Sequence, residues 1–78
     1  MRVHITYCKP CGYQPRANSL AAKISSSFPA AQVEFTTGIA GEFVVEVDGE
    51  VLWDRKQMQG QFPDEESLVS YLTSRTAS

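Results

Sequence analysis

Both cysteines of the chain lie in one short stretch, "YCKPCGY" (residues 7–13), with two residues between them. Such a pair can exchange between dithiol and disulfide, contribute to a metal site, or simply supply two small residues to a binding loop. A disulfide closing about four residues stabilises a fold by roughly 2 kcal/mol on the chain-entropy model, against ~4.7 kcal/mol for a hundred-residue loop. The pair is therefore poorly placed to act as a structural staple.

The surroundings of the pair favour thiol–disulfide chemistry. Strand-like residues precede Cys8 and a helix-like run follows Cys11, so both sulfurs are expected near a helix N-terminus. Unpaired backbone N–H groups and the helix dipole stabilise thiolate there. Thiolate attacks disulfides, and a second cysteine can resolve the mixed disulfide that forms. We expect Cys8 and Cys11 to be the catalytic redox pair, in a loop shaped by Lys9, Pro10 and Gly12.

The attacking sulfur is predicted from exposure. A helix dipole contributes about 0.3–1 kcal/mol at exposed sites and up to ~2 kcal/mol when partly buried, and both sulfurs lie within reach of the first helical turn. The dipole therefore separates them only slightly. Cys8 leaves a strand at the rim of the sheet, whereas Cys11 is expected under the loop. This interpretation makes Cys8 the attacking residue and Cys11 the resolving one.

Four further residues are candidates for the rim of a substrate groove. Tyr7 and Tyr13 flank the cysteine loop, although Tyr7 also fits the last core position of a strand and Tyr13 the first core position of a helix. Gly38 and Gly41, in the stretch "TTGIAGEF", are expected to leave an open rim.

A zinc site is the competing interpretation of the cysteines. Structural zinc takes four ligands, and His4 is the one histidine of the chain, so two chains would have to share the metal. Alternation along the first strand places His4 on the outward face, where a solvated role is expected. We predict no metal and no resident cofactor.

Composition limits the class of protein. The 78 residues are expected to form one domain, 1–78, with 42% apolar residues for its core. No apolar run reaches the length of a signal peptide or a membrane span, so a soluble, cytoplasmic protein with no membrane partner is expected. Residues 1–33 carry four basic residues and no acid, whereas residues 34–78 carry nine acids against three basic residues. Four dispersed cations are too few for a nucleic-acid surface.

The first half of the chain has the pattern of a strand–helix–strand unit. Apolar and polar residues alternate over residues 3–7, and again in "QVEFTT" (32–37), which predicts two half-buried strands. Between them, apolar residues recur at helical spacing, with Pro15 suited to the first turn and Pro29 ending the helix. The helical stripe consists of Tyr13, Ala17, Leu20, Ala21, Ile24 and Phe28. The two strands are expected to be parallel neighbours.

A hairpin is the clearest local signal of the second half. In "FVVEVDGEVLW" (43–53), Asp48-Gly49 is a preferred two-residue turn, and both residues need positive φ. We expect Val51 and Trp53 to share one face, with Val44 and Leu52 as apolar exceptions on the outward face that hint at a partner surface.

A polar loop and a helix complete the chain. Arg55 and Lys56 are interpreted as a solvated pair in this loop, and Asp64 as the N-cap of the last helix. The apolar stripe of that helix consists of Leu68, Val69 and Leu72. The order β-α-β-β-β-α with one polar sheet face predicts an α/β, two-layer sandwich with a four-stranded mixed sheet, the minimal thioredoxin-like arrangement.

The ordered motifs resemble those of the Rdx family, the relatives of selenoproteins W, T and H. The resemblance covers nearly the whole chain, through "YCKPCGY" and "GEFVVEVDGEVLWDRKQMQGQFPDEESLVSYL". It implies a thioredoxin-like fold and a thiol–disulfide oxidoreductase that uses glutathione as a possible co-substrate or the thiols of partner proteins. Selenoprotein members carry selenocysteine at the position of Cys11, so the resemblance implies that Cys11 attacks, against the exposure argument.

A protein of another class remains an alternative at this point. A non-catalytic interaction module whose cysteines only sense oxidation would have the same motif. The sequence names no physiological substrate, electron donor or oligomeric state.

Overall fold

The four strands form one mixed sheet that both helices cover on the same side. A computed structural model describes residues 1–76 and places the strands in the order β2-β1-β3-β4, with β1 parallel to β2 and antiparallel to β3. The elements are β1 (Arg2–Tyr7), α1 (Gln14–Ser27), β2 (Gln32–Thr37), β3 (Phe43–Val47), β4 (Glu50–Asp54) and α2 (Glu65–Thr76). The predicted α/β class, element order and central position of β1 are confirmed.

The core lies between the sheet and the two helices. Alternation along β1 and β3 turns every second side chain toward the helices, and these apolar side chains are almost fully buried. The residues that form this core are Val3, Ile5, Tyr7, Ala17, Leu20, Ala21, Ile24, Phe43, Val45, Val47, Leu68 and Leu72. Val69 packs at its margin, so the predicted stripes of both helices are confirmed as the faces that meet the sheet.

The helices begin and end where their terminal residues require. Pro15 lies in the first turn of α1, and the N–H of Phe28 closes its last turn on the carbonyl of Ile24 at 2.8 Å. Asp64 caps α2, because its carboxylate accepts hydrogen bonds from the Ser67 hydroxyl at 2.6 Å and the Ser67 N–H at 3.0 Å. Within residues 1–76, neither helix is long and apolar enough to cross a membrane.

The β3–β4 hairpin has the predicted turn but an unpredicted register. Asp48 and Gly49 have φ of 51° and 84°, so the turn is confirmed. Val45 pairs with Trp53, whereas Glu46 pairs with Val51, which leaves one extra β4 residue between the two pairs. Such a bulge changes which face the following residues occupy.

Because of this bulge, the predicted faces of Val51 and Leu52 on β4 are wrong. Val51 lies opposite Glu46 on the outward side and is 53% exposed, so it does not share the face of Trp53. Leu52, predicted to face outward, instead packs against the core together with Trp53. Val44 and Leu52 therefore do not form the common partner surface that alternation suggested.

The corrected register can be tested by one substitution at two positions of the hairpin. Val47→Thr places a hydroxyl at a site that is 3% exposed, so we expect it to lower the free energy of unfolding by about 1–3 kcal/mol. Val51→Thr is the matched control and should change that free energy by less than about 0.5 kcal/mol. Urea unfolding measures both. Equal losses would mean that Val51 is a core residue and that the bulge is misplaced.

Acid should weaken the cap of α2. The hydrogen bonds from the hydroxyl and then the backbone of Ser67 hold the pKa of Asp64 below its ordinary value of 3.8. The contribution of Asp64 is therefore complete above pH 3.8 and is lost as the pH falls through the lower folded-state value. We expect Asp64→Asn, which still caps but does not titrate, to remove this step from the pH dependence of thermal stability. An unchanged acid step in the Asn variant would contradict this origin.

Candidate functional site

The cysteines are carried by a tight turn between β1 and α1. The N–H of Gly12 donates to the carbonyl of Lys9 at 3.0 Å, which closes a four-residue turn with Pro10 at its second position. Gly12 has a φ of 80°, a backbone conformation that side chains with a Cβ rarely adopt. In this turn, proline fixes its own φ angle, and glycine turns the chain into the helix.

Cys8 and Cys11 are close enough to bridge. The structure joins them by a disulfide, with their Cα atoms 5.3 Å apart. That separation lies inside the range that disulfides occupy, so opening and closing the bond requires little movement of the backbone. The predicted proximity of the two sulfurs is confirmed.

Exposure of the two cysteines is the reverse of what we predicted. Cys8 is 1% exposed, whereas Cys11 is exposed at the surface. The reason is the loop between β2 and β3, which closes over the end of β1. In that loop the N–H of Gly38 donates to the carbonyl of Tyr7, and the carbonyl of Glu42 accepts from the N–H of Cys8, both at 2.8 Å. Cys8 is therefore enclosed by chain on two sides, and the turn carries Cys11 outward.

The Cys11 sulfur has a backbone donor and lies beside a helix N-terminus. The N–H of Gly41 points at Cys11 Sγ at 3.3 Å. The helix α1 starts three residues after Cys11, with Tyr13 as its N-cap residue, and has no acidic residue in its first turn. A hydrogen-bond donor and an unneutralised helix N-terminus both favour negative charge on sulfur.

Arg55 is a site residue that the sequence analysis missed. It was interpreted as half of a solvated loop pair, and Lys56 is indeed exposed, but the guanidinium of Arg55 is partly buried. Its Nη1 donates to the carbonyl of Gly41 at 3.1 Å, and its Cζ lies 5.1 Å from the ring centroids of both Tyr13 and Phe62. The available signal was weak, because arginine in a polar loop is usually solvated.

The buried Nε of Arg55 shows how tightly the guanidinium is enclosed. Within the described part of the chain, this donor has no hydrogen-bond partner. Burying a donor without a partner costs about 1–3 kcal/mol. The position of Arg55 is thus maintained against a local cost by its carbonyl bond and its two ring contacts.

Phe62 is the second residue that the sequence analysis did not assign. Its ring packs edge-to-face on Tyr13, with centroids 4.8 Å apart, and on Phe43 at 5.2 Å. The guanidinium of Arg16 covers the same ring at 4.0 Å. Phe62 therefore ties the loop after β4 to the beginning of α1, next to the cysteine turn.

The four proposed rim residues have different surroundings in the structure. Tyr7 is 7% exposed and packs edge-to-face on Phe35, so its ring is mainly a core group. Tyr13 is partly buried under Arg55. Gly41 contacts Cys11, whereas a Cβ on Gly38 would collide with the carboxylate of Glu42.

His4 lies on the outward face of β1, as alternation predicts. Its Nε2 is 2.6 Å from the hydroxyl oxygen of Thr36 on β2. Among residues 1–76, no three His, Cys, Asp or Glu side chains are grouped to hold a metal ion. Within these residues, the cysteine pair therefore has no third ligand nearby.

Comparisons with known proteins give one family. The model of the Rdx family matches residues 2–74. Two relatives named Migration and invasion enhancer 1, from Mus musculus and Bos taurus, are 33% and 29% identical over 69 residues, which is 86% and 88% of this chain. The chain spans 59% of the length of each of these relatives.

Solved structures share the whole architecture. A protein from Bordetella parapertussis aligns with a TM-score of 0.85 at 32% identity, over 95% of both chains. A selenoprotein W-related protein from Vibrio cholerae aligns with a TM-score of 0.81 at 27% identity, over 88% of both chains. These likenesses confirm the predicted thioredoxin-like fold.

The difference in exposure predicts different alkylation rates in the reduced protein. In single-cysteine variants, Cys11 (in Cys8→Ser) should react with iodoacetamide roughly tenfold faster or more than Cys8 (in Cys11→Ser), because only Cys11 faces solvent. Mass spectrometry at timed intervals measures both rates. In guanidinium chloride, where both thiols are exposed, the rates should converge. A faster folded-state reaction at Cys8 would restore the assignment made from the sequence.

Proposed function

Since the chain belongs to the Rdx family, we propose that it is a small thiol–disulfide oxidoreductase whose Cys8–Cys11 pair exchanges with glutathione or with thiols of partner proteins. The observation that carries this proposal is the asymmetric pair: two bridged sulfurs, one buried and one exposed beside a helix N-terminus. A structural staple needs no such asymmetry, whereas a nucleophile and a resolving thiol do.

Cys11 is the attacking residue in this proposal. Its sulfur is exposed to a substrate, receives the Gly41 N–H and lies close to the N-terminus of α1. Lys9, exposed in the same turn, adds a cation. The assignment agrees with the position that selenium occupies in the selenoprotein members that this chain resembles.

The reaction proceeds by two exchanges. The Cys11 thiolate attacks one sulfur of a substrate disulfide, which forms a mixed disulfide and releases the other substrate sulfur as thiolate. The Cys8 thiolate then attacks Cys11 Sγ, releases the second substrate thiolate and leaves the Cys8–Cys11 disulfide. Two electrons have passed from the protein to the substrate, and two glutathione thiols or one partner dithiol return them in the reverse sequence.

Burial of Cys8 suits a resolving role. A thiol that is 1% exposed is out of reach of external disulfides but adjacent to the one sulfur that it must attack. This arrangement limits side reactions at Cys8. The proposed setting is the cytoplasm, where glutathione and thioredoxin systems keep such pairs reduced and ready to react.

An interaction module is the second candidate, and one observation favours it. Ile39, in the same loop as Gly41, is 67% exposed, and burying this apolar side chain against a protein partner would be favourable. In such a module, the cysteines would be modified once and would not turn over.

Turnover distinguishes the two candidates. With a peptide disulfide as substrate and glutathione with glutathione reductase as the electron supply, the parent protein should reduce many equivalents of substrate. Cys11→Ser should fall to the uncatalysed rate. Cys8→Ser, treated with the peptide disulfide in the absence of glutathione, should accumulate the Cys11 mixed disulfide in a one-to-one ratio, because no second thiol is present to resolve it. His4→Gln, on the outward sheet face, is the control and should retain full activity. Stoichiometric modification of the parent without turnover would reject the enzyme and favour the module.

A further inference from the structure

Arg55 connects three segments that surround the cysteine turn. It directly follows β4, donates to the carbonyl of Gly41 in the β2–β3 loop, and packs on Tyr13 at the start of α1. Its guanidinium also lies against Phe62, which precedes α2.

Gly41 connects Arg55 to the reactive sulfur of Cys11. Arg55 binds the carbonyl of Gly41, and the N–H of the same residue donates to Cys11 Sγ. Both polar groups of one glycine are thereby engaged, one by the arginine and one by the sulfur. The carbonyl and the N–H of Gly41 belong to adjacent peptide groups that meet at its Cα, so anchoring the carbonyl limits the backbone angles open to Gly41 and thereby the direction of its N–H.

We propose that Arg55 is a positioning residue, which holds the Gly41 N–H against Cys11 and so stabilises the negative charge that this sulfur carries when it attacks. The inference rests on the proposed function, because it takes Cys11 as the attacking residue. No hydrogen bond joins Arg55 to the sulfur among residues 1–76. Arg55 acts through Gly41, and its positive charge reinforces the effect across that one residue.

Arginine suits this position better than lysine. A planar guanidinium can lie against two aromatic rings and still direct one N–H at a carbonyl in the plane of the group. A lysine ammonium could supply the charge or the hydrogen bond but would not be fixed between the rings of Tyr13 and Phe62. The buried Nε without a partner fits the same picture, because the guanidinium is fixed by its contacts and not by full hydrogen bonding.

Arg16 provides a matched control within the chain. It is also an arginine, and its guanidinium lies over the same Phe62 ring, at 4.0 Å. No contact joins it to Gly41 among the described residues, and neither arginine forms an ion pair there. Replacing Arg16 therefore removes equal charge and a comparable ring contact but leaves the Arg55–Gly41–Cys11 connection intact.

The test measures the pH dependence of alkylation in the Cys8→Ser background, where Cys11 is the one thiol. Iodoacetamide is used because it is uncharged, so its rate follows the thiolate population. Arg55→Met should raise the pH midpoint of the rate by about half a pH unit to one pH unit, which corresponds to roughly three- to tenfold slower alkylation well below the midpoint. Arg16→Met should leave the midpoint within about 0.2 pH unit of the parent. Arg55→Lys should give a smaller rise.

A second readout follows Gly41 directly. In the parent, the Gly41 amide resonance should shift as Cys11 titrates, because the two are hydrogen-bonded. In Arg55→Met this titration should be lost. The other charged groups around the site are Lys9, Glu42, Asp54 and Lys56, and they are the same in every variant compared.

Three results would overturn the inference. They are an unchanged midpoint in folded Arg55→Met, an equal shift in Arg16→Met, or a Gly41 amide that does not respond to Cys11 in the parent. If Arg55→Met fails to fold, Arg55→Lys against Arg16→Lys carries the test, with a rise expected in the first alone. The alkylation experiment measures the Cys11 thiol alone and does not require turnover. If the proposed function is wrong but this inference is right, the parent protein will show no turnover while the pH midpoint of Cys11 alkylation still rises in Arg55→Met.

Discussion

The hydrogen bonds that close the β2–β3 loop over the end of β1 determine the whole site. β1 is a central strand with a partner on each side, so its last residues have no free edge through which to leave the sheet. The loop binds Tyr7 and Cys8 through backbone groups of Gly38 and Glu42. Cys8 is buried with its backbone held by Glu42, and the chain leaves the sheet through the turn that presents Cys11.

Arg55 illustrates how a small protein fixes a loop without a large core. A hydrogen bond that involves a charged group contributes about 1.5–3 kcal/mol, and an unpartnered buried donor costs about 1–3 kcal/mol. Cation–π contacts with Tyr13 and Phe62 add about 0.5–1 kcal/mol each at solvent-exposed sites and more where the pair is desolvated. The unpartnered donor therefore offsets a substantial part of what the hydrogen bond and the ring contacts contribute. What Arg55 supplies is the position of a loop, which a purely apolar side chain would not define.

Sulfur in place of selenium gives these contacts their importance in the proposed chemistry. A free thiol has a reference pKa of about 8.5 and is mostly protonated at neutral pH, whereas a selenol is not. A cysteine at the position of Cys11 therefore depends on its surroundings for thiolate. The Gly41 N–H and the N-terminus of α1 are two backbone features that favour thiolate at this position. Both therefore depend on loop geometry.

The sequence by itself determined the parts of this protein that follow from local pattern. Alternation identified the strands, helical spacing identified the faces of α1 and α2, and Asp48-Gly49 identified the turn with its positive φ angles. The motif "YCKPCGY" and the stretch of residues 41–72 after it identified the family. The strand, helix and turn signals each lie within a few residues along the chain, where periodicity and turn chemistry act, whereas the family was identified by the order of motifs along the chain.

Only the tertiary structure decided which cysteine faces solvent, which side of the sheet Val51 occupies and what Arg55 does. The burial of Cys8 depends on a loop some thirty residues away, and Glu42 is the residue of that loop that closes on it. The bulge at Leu52 puts Val51 and Trp53 on opposite faces of the sheet, and an alternating sequence pattern does not show where a bulge occurs. Arg55 reaches Gly41 and Tyr13, fourteen and forty-two residues earlier in the chain. Contacts between distant segments carry no periodicity, and for that reason these three features were decided by the folded chain alone.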